Sequence, residues 1–296
     1  MTILAGLGAG GHGPAPLHLA AQIARGTGER IVAAVIVESP APRKPEMFEV
    51  EYLNHVSEQA RQFLGEMADQ LPDDLDVQQV VHQASSVPAG LVELATQMSA
   101  DTVVVGSSSA GALGRIALGS VTDRLVHTAA VPVAIAPRGY PAQAGRIERL
   151  TVAYGGRADR VGLIATSAEL ADRWSARLRI ASFTVRPVTM FSGSIETAAE
   201  DLVVQQWSRR TREGIVAQLE TVRSGIDGLD AEVVIGAGAT WRDAVEAVQW
   251  GAGDVLVLGS GAAGPVAQVF LGSAAGKILR HAPVPTMIVP RRTPAS

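Results

Sequence analysis

The stretch "FLGSAAGKILRHAPVPTMIVP" (Phe270–Pro290) closes the second half of the chain, and "ALGSVTDRLVHTAAVPVAIAP" (Ala117–Pro137) closes the first. In each, a Gly-Ser step opens a helix-forming segment, a Val-Pro step ends it, and a short apolar run follows. Gly272 lies 153 residues after Gly119, Pro285 lies 153 after Pro132, and Gly259 lies 153 after Gly106. Three landmarks at one offset mark an internal duplication.

Working back from these endings, the two copies show the same order of elements. In the first, "TILAG" (Thr2–Gly6), "RIVAAVIVES" (Arg30–Ser39), "DVQQVVHQ" (Asp76–Gln83), "DTVVVGS" (Asp101–Ser107) and "VPVAIAP" (Val131–Pro137) read as strands. Helical spacing of apolar residues predicts helices at Pro16–Arg25, Tyr52–Leu71, Pro88–Met98 and Ser120–Ala129. In the second, "RLTVAYG", "LRIASFTV", "AEVVIG", "DVLVLGS" and "VPTMIVP" are the strands. Its helices are predicted at Ala158–Trp174, about Glu200–Val222, Trp241–Gly251 and Ala274–Ala282. Runs apolar on both faces, such as "RIVAAVIV", belong in the middle of a parallel sheet covered on both sides. Alternating strands and helices predict an α/β fold with a doubly wound parallel sheet in each half. The join falls near "RGYPAQAGR" (Arg138–Arg146), giving domains 1–140 and 147–296. The first strands align at an offset of 147, Gly8 with Gly155, so with an offset of 153 at the fourth strands the second copy is six residues longer between the two. A Pro-rich loop, "SPAPRKP" (Ser39–Pro45), follows the second strand of the first copy.

Composition narrows the function. Hydrophobic residues make up 47% of 296 and charged ones 18%, enough for two cores and far from a disordered chain. A net charge of −4 with no basic block argues against a nucleic-acid footprint. With no cysteine there is no disulfide, no thiolate catalysis and no Cys-ligated metal. No apolar run approaches a membrane span and the N-terminus does not read as a signal peptide, so a cytoplasmic protein is expected.

In open α/β sheets ligands sit beyond the carboxyl ends of the strands. There the fourth strands run into "GSSSAGALGRIALGS" (Gly106–Ser120) and "GSGAAGPVAQVFLGS" (Gly259–Ser273). Glycine admits a close ligand, serine offers a hydroxyl, and the free N–H groups of a helix's first turn favour an anion. That combination describes a phosphate cradle. The bland alternative is a turn followed by an N-cap.

At these residues the chain resembles the universal stress protein family in its tandem form. The family's mark is a glycine, two residues, a second glycine, nine residues, then Gly-Ser or Gly-Thr. Gly106 with Gly119-Ser120 and Gly259 with Gly272-Ser273 fit it, and the "RHAPVPTMIVP" ending is characteristic. The resemblance covers essentially the whole chain. It implies two tandem doubly wound five-stranded sheets of strand order 3-2-1-4-5, helices on both faces, with the fifth strands "VPVAIAP" and "VPTMIVP" pairing inside one chain as a pseudo-dimer. A further homodimer is compatible with this. It also implies a regulatory module of the stress response that binds ATP or another adenine nucleotide, with magnesium only through the nucleotide, no efficient turnover, and an unidentified regulatory protein partner. Gly106, Ser107, Ser109, Gly119, Ser120 and Val121 would form the nucleotide site of copy one; Gly259, Ser260, Ala262, Gly272, Ser273 and Ala274 that of copy two.

Two departures matter. The middle glycine is Ser109 in one copy and Ala262 in the other, which preserves the turn only where its backbone does not need positive φ. The Asp that ends the first strand in nucleotide-binding members is Gly8 and Gly155 here. Loss of a carboxylate acceptor removes a contact worth about 1.5–3 kcal/mol, a factor of ten or more in affinity. Binding is therefore expected to be weak or altered.

Two rival readings are a ligand-free scaffold acting through protein partners and a dinucleotide-dependent enzyme. The second would use "GLGAGG" (Gly6–Gly11) after the first strand, with Glu38 closing the second. Three other features read as ordinary structure. "GSAAGKI" is one residue short of a P-loop, with Ile278 in place of the metal-binding hydroxyl, and Lys277 reads as a solvated helix residue. "GSSSAG" is no nucleophile elbow. Neither His82, in a strand, nor His127 and His281, near helix ends, has metal-ligand spacing.

Overall fold

A computed structural model describes residues 2–8, 13–39, 47–155, 162–185, 194–223, 230–263, 268–270 and 272–290. The first lobe runs β1 (Thr2–Leu7), α1 (Ala15–Thr27), β2 (Arg30–Glu38), α2 (Met47–Ala68), β3 (Val77–Ala84), α3 (Val87–Gln97), β4 (Ala100–Gly106), α4 (Ser120–Thr128) and β5 (Val133–Ala136). The second runs β6 (Arg149–Ala153), α5 (Leu163–Arg173), β7 (Arg177–Val185), α6 (Ser194–Arg223), β8 (Ala231–Gly238), α7 (Trp241–Glu246) and β9 (Asp254–Gly259). It continues with β10 (Gly261–Ala263), β11 (Gln268–Phe270), α8 (Ser273–His281) and β12 (Thr286–Val289).

The strands form one ten-stranded sheet of order β3-β2-β1-β4-β5-β12-β9-β6-β7-β8. Each half has the expected order 3-2-1-4-5, and the expected pairing of the two fifth strands joins the five-stranded sheets into one. β5 and β12 pair antiparallel, Ile135 opposite Thr286 and Val133 opposite Ile288, while the neighbours within each half are parallel. Pairing these two strands removes an exposed apolar edge from each half. Central position explains composition: β2 buries every residue from Ile31 to Val37 between exposed Arg30 and Glu38.

Two apolar layers flank the sheet, each continuous across both lobes. One gathers residues of α1, α2, α5 and α6, including Leu17, Leu64, Ile164 and Ile215. The other gathers α3, α4, α7 and α8, including Leu91, Leu125, Val245 and Leu279. Local signals set the helix ends. Pro16 lies in the first turn of α1, where its missing N–H costs nothing, and Gly28 ends that helix at φ +69°. Thr240 and Asp243 form a capping box on α7.

Several boundaries differ from expectation. α7 stops at Glu246 rather than Gly251, and the Trp250 indole N–H donates to the Val245 carbonyl across the turn that follows (2.8 Å). α6 begins at Ser194, ahead of the expected start. The predicted helix start at Ala158 lies outside the described residues, as does "SPAPRKP" beyond Ser39. Copy two also carries an unforeseen hairpin, β10 paired with β11, where copy one has an irregular loop. No described helix is long and apolar enough to cross a membrane.

Candidate functional site

The duplicated glycine segments meet at the carboxyl ends of β1 and β4 in lobe one and of β6 and β9 in lobe two. A cavity opens at each. The lobe-one cavity measures about 440 Å³ and the lobe-two cavity about 350 Å³, both within the range of small-molecule sites. In lobe one Gly106, Ser107, Ser109, Gly119, Ser120 and Val121 all line the cavity. In lobe two Gly259, Ser260, Gly272, Ser273 and Ala274 do so. Ala262 is not among the described lining residues; it lies in β10 of the hairpin.

Each cradle ends at a helix start. Gly119 is the N-cap of α4 and Gly272 that of α8, and in neither case does a described side chain cap the first turn. The plain N-cap alternative is therefore not what these Gly-Ser steps provide: serine follows the cap instead of being it. Ser120, Ser273 and Ala274 are exposed. Around Gly272 a Cβ would meet nothing described within 4 Å, whereas at Gly119 it would press on the Ser108 Cβ at 3.3 Å. Neither glycine has positive φ; the open approach is the asset, not an unusual backbone. Ser109 also lacks positive φ, which explains why serine can replace the middle glycine.

The Ser107 hydroxyl corrects one expectation. It is buried, accepts from the Ala117 N–H at 2.8 Å and donates to the Ala117 carbonyl at 3.3 Å. The Ser108 N–H donates to the same carbonyl at 2.8 Å. Ser107 thus lashes the two ends of the loop together, and its hydroxyl holds the cradle's shape rather than an anion. The Thr122 hydroxyl adds a second lash, donating to the Gly106 carbonyl at 3.2 Å. Arg138 Nη1 donates to the Gly111 carbonyl at 2.8 Å.

Gly8 and Gly155 line the two cavities at the ends of the first strands, both exposed. Among the described residues, no carboxylate lines either cavity. Lobe two compensates with aromatic side chains that sequence reasoning missed: Tyr154, Phe183 and Trp241. Lys277 lies with its Nζ 5.5 Å from the Trp241 ring centroid, so it covers a ring as well as facing solvent. The signal was present in the sequence, but only as a contrast between copies, never as a repeated motif.

The competing motifs have other occupations. Of "GLGAGG", Gly6 and Leu7 close β1 and Gly8 lines the lobe-one cavity, while residues 9–11 lie outside the described residues. The Glu38 carboxylate accepts from the Val87 N–H at 3.1 Å and so serves the start of α3. His82 pairs with Glu93 at 2.9 Å, and His127 faces Asp123 one helical turn away. Among the described residues there is no group of three or more His, Asp or Glu that could hold a metal ion.

Comparison with known proteins converges on one family. The model of the universal stress protein family matches residues 1–137 and again 146–290. The chain belongs to the universal stress protein family. Universal stress proteins of Mycobacterium tuberculosis and Mycobacterium bovis are each 33% identical to it over 299 aligned positions, covering 98% of this chain and 100% of theirs. Among solved structures, a universal stress protein from Archaeoglobus fulgidus has the same fold at a TM-score of 0.62 and 16% identity, covering 98% of both chains. A functionally unknown protein from Pseudomonas aeruginosa follows at 0.56 and 14%, covering 98% of this chain and 92% of its own. Both universal stress protein copies thus sit in one chain, back to back on their fifth strands.

Proposed function

We propose that this tandem universal stress protein is a cytoplasmic regulatory module that binds ATP or a related adenine nucleotide weakly and does not turn it over. The observation that carries this reading is the pair of open cavities, each ending on a helix whose first turn no described side chain caps. Exposed backbone N–H groups there can hold phosphate oxygens without any cationic side chain. Magnesium would enter only with the nucleotide. Gly8 and Gly155 account for weakness, because glycine offers no carboxylate to accept from a base or ribose. The described lining residues are small, apolar, aromatic or hydroxyl-bearing, a set suited to binding rather than to acid–base catalysis.

Isothermal titration of the full chain with Mg-ATP tests this. Heat is expected in the wild type and loss of it when Gly119 and Gly272 are both replaced by leucine. A Gly155→Asp variant should tighten binding about tenfold or more. No heat at high micromolar protein, with no nucleotide retained on purification, defeats the proposal and leaves a scaffold acting through partner contacts.

A further inference from the structure

The two cavities have the same backbone plan but different walls. Strand registers fix the correspondence: Leu4 pairs with Val32 as Thr151 pairs with Arg179, and Ile31 pairs with Val77 as Leu178 pairs with Ala231. On that alignment Leu7 corresponds to Tyr154, Ile36 to Phe183, and Val87, just after the N-cap Ser86, to Trp241, just after the N-cap Thr240. All three aliphatic residues line the lobe-one cavity, and all three aromatic ones line the lobe-two cavity. Aromatic residues are only 4% of this chain, so three at matched positions around one small cavity is a concentration, not background.

The three rings differ in burial: Phe183 is a buried core residue whose edge reaches the cavity, whereas Trp241 and Tyr154 are partly exposed. Phe183 and Trp241 belong to the layer shared by α7 and α8, and Trp241 is only partly buried. Phe183 is held from behind: a Cβ on Gly236 would stand 3.1 Å from its Cδ1. Lys277, one turn into α8 from Ser273, brings its ammonium over the indole. The cavity therefore presents aromatic surface and an uncapped helix start within one space of about 350 Å³, while Lys277 reaches the indole without lining the cavity. Planar π-faces attract planar π-faces irrespective of hydrogen-bond pattern.

We propose that lobe two is selective for anions carrying a planar heteroaromatic ring, a purine nucleotide above all, and that Trp241 with Phe183 stacks the ring whose carboxylate partner is missing at Gly155. Lobe one, walled by Leu7, Ile36 and Val87, holds phosphate with little regard for the base. This rests on the phosphate-cradle reading above and assigns unequal roles to its two sites.

The test compares Mg-ATP with inorganic tripolyphosphate, which offers the phosphates without a ring, by titration calorimetry on the full chain. A Gly119→Leu background closes lobe one. Lobe two should bind ATP at least about tenfold more tightly than tripolyphosphate. Trp241→Leu should weaken ATP about 5- to 150-fold, the range expected for one base–aromatic stack, and leave tripolyphosphate unchanged. Trp241→Phe should retain most of the ATP affinity, which controls for folding. In the reverse direction, Val87→Trp with lobe two closed by Gly272→Leu should improve ATP over tripolyphosphate in lobe one. Equal binding of the two probes, unaltered by Trp241→Leu, overturns the stacking proposal and spares the cradle. Binding of neither probe overturns both.

Discussion

The two lobes also diverge at the opposite end of the sheet, and there the difference concerns stability. In lobe one Leu4 and Val32 face each other across β1 and β2, both fully buried. The same two positions in lobe two hold Thr151 and Arg179, equally buried. Arg179 donates from Nε to the Thr151 hydroxyl (3.0 Å), from Nη1 to the Gln249 carbonyl (2.8 Å) and from Nη2 to Asp254 (3.3 Å), with its guanidinium 5.2 Å from the Trp250 ring centroid. Arg149 grips both oxygens of Asp254, at 2.9 and 2.8 Å. Burial pulls the Arg179 guanidinium below its ordinary value, while the hydrogen bonds to Asp254 push that of Arg149 up. One topology thus accepts an apolar pair or a charged cluster in the same slot, provided every buried donor finds an acceptor. The ligand end follows the same rule: duplication preserved the backbone and left the walls free to specialise.

The largest effect should come from removing Asp254 and, separately, its counterpart Asp101. Asp254→Ala leaves a buried guanidinium without its carboxylate and should cost about 3–5 kcal/mol in denaturant unfolding. Asp101 meets Arg173 across the seam at 3.3 Å, with both side chains partly exposed, so Asp101→Ala should cost about 1 kcal/mol or less. Equal costs would refute the claim that the lobes are stabilised differently.

A middle-sized effect probes the seam that holds the unequal lobes together. The Tyr140 hydroxyl donates to the Gln22 side chain of α1, whose amide in turn donates to the Ala252 carbonyl of lobe two at 3.1 Å. Tyr140→Phe strands the Gln22 oxygen and should cost about 1–3 kcal/mol. Burial pushes the Tyr140 phenol up to about 12. Because the folded state holds this proton more tightly than the unfolded one, its contribution is fully present below about pH 10 and is lost as pH rises toward 12. Absorbance titration should show a tyrosine step near pH 12, and Tyr140→Phe should delete that step.

The smallest effect concerns Arg115, which reaches from the lobe-one cradle loop to the last turn of α8. It donates to the His281 carbonyl at 2.9 Å and meets Glu246 at 3.4 Å. A cation at a helix C-terminus is favourable, and Arg115→Ala should cost about 1 kcal/mol by thermal or denaturant unfolding. The residue at the matching offset in lobe two is the uncharged Gln268. A much larger loss would mean that the cradle loop depends on the other lobe for its shape.

Much of this was legible in the residues themselves. Strand order within each half, element order and the Gly106–Ser120 and Gly259–Ser273 segments follow from apolar periodicity, a repeat offset and the resemblance those segments carry. The ends of α7 and α6 were missed because a turn closed by the Trp250 indole and a long amphipathic run do not announce their limits in local pattern. Ser107 was given the wrong task because a serine after a strand looks the same whether its hydroxyl meets a ligand or the backbone ten residues on.

Amino-acid order sufficed to establish two copies of one doubly wound unit and to say which glycines lie at the strand ends, since burial period and chain spacing carry that information directly. The pairing of β5 with β12 was expected only through the family resemblance, and two outcomes had to wait for the folded chain: Arg179 can be buried, and Tyr154, Phe183 and Trp241 share a wall. They depend on the register between strands far apart in the chain, and register brings together side chains whose separation in sequence gives no sign that they will meet.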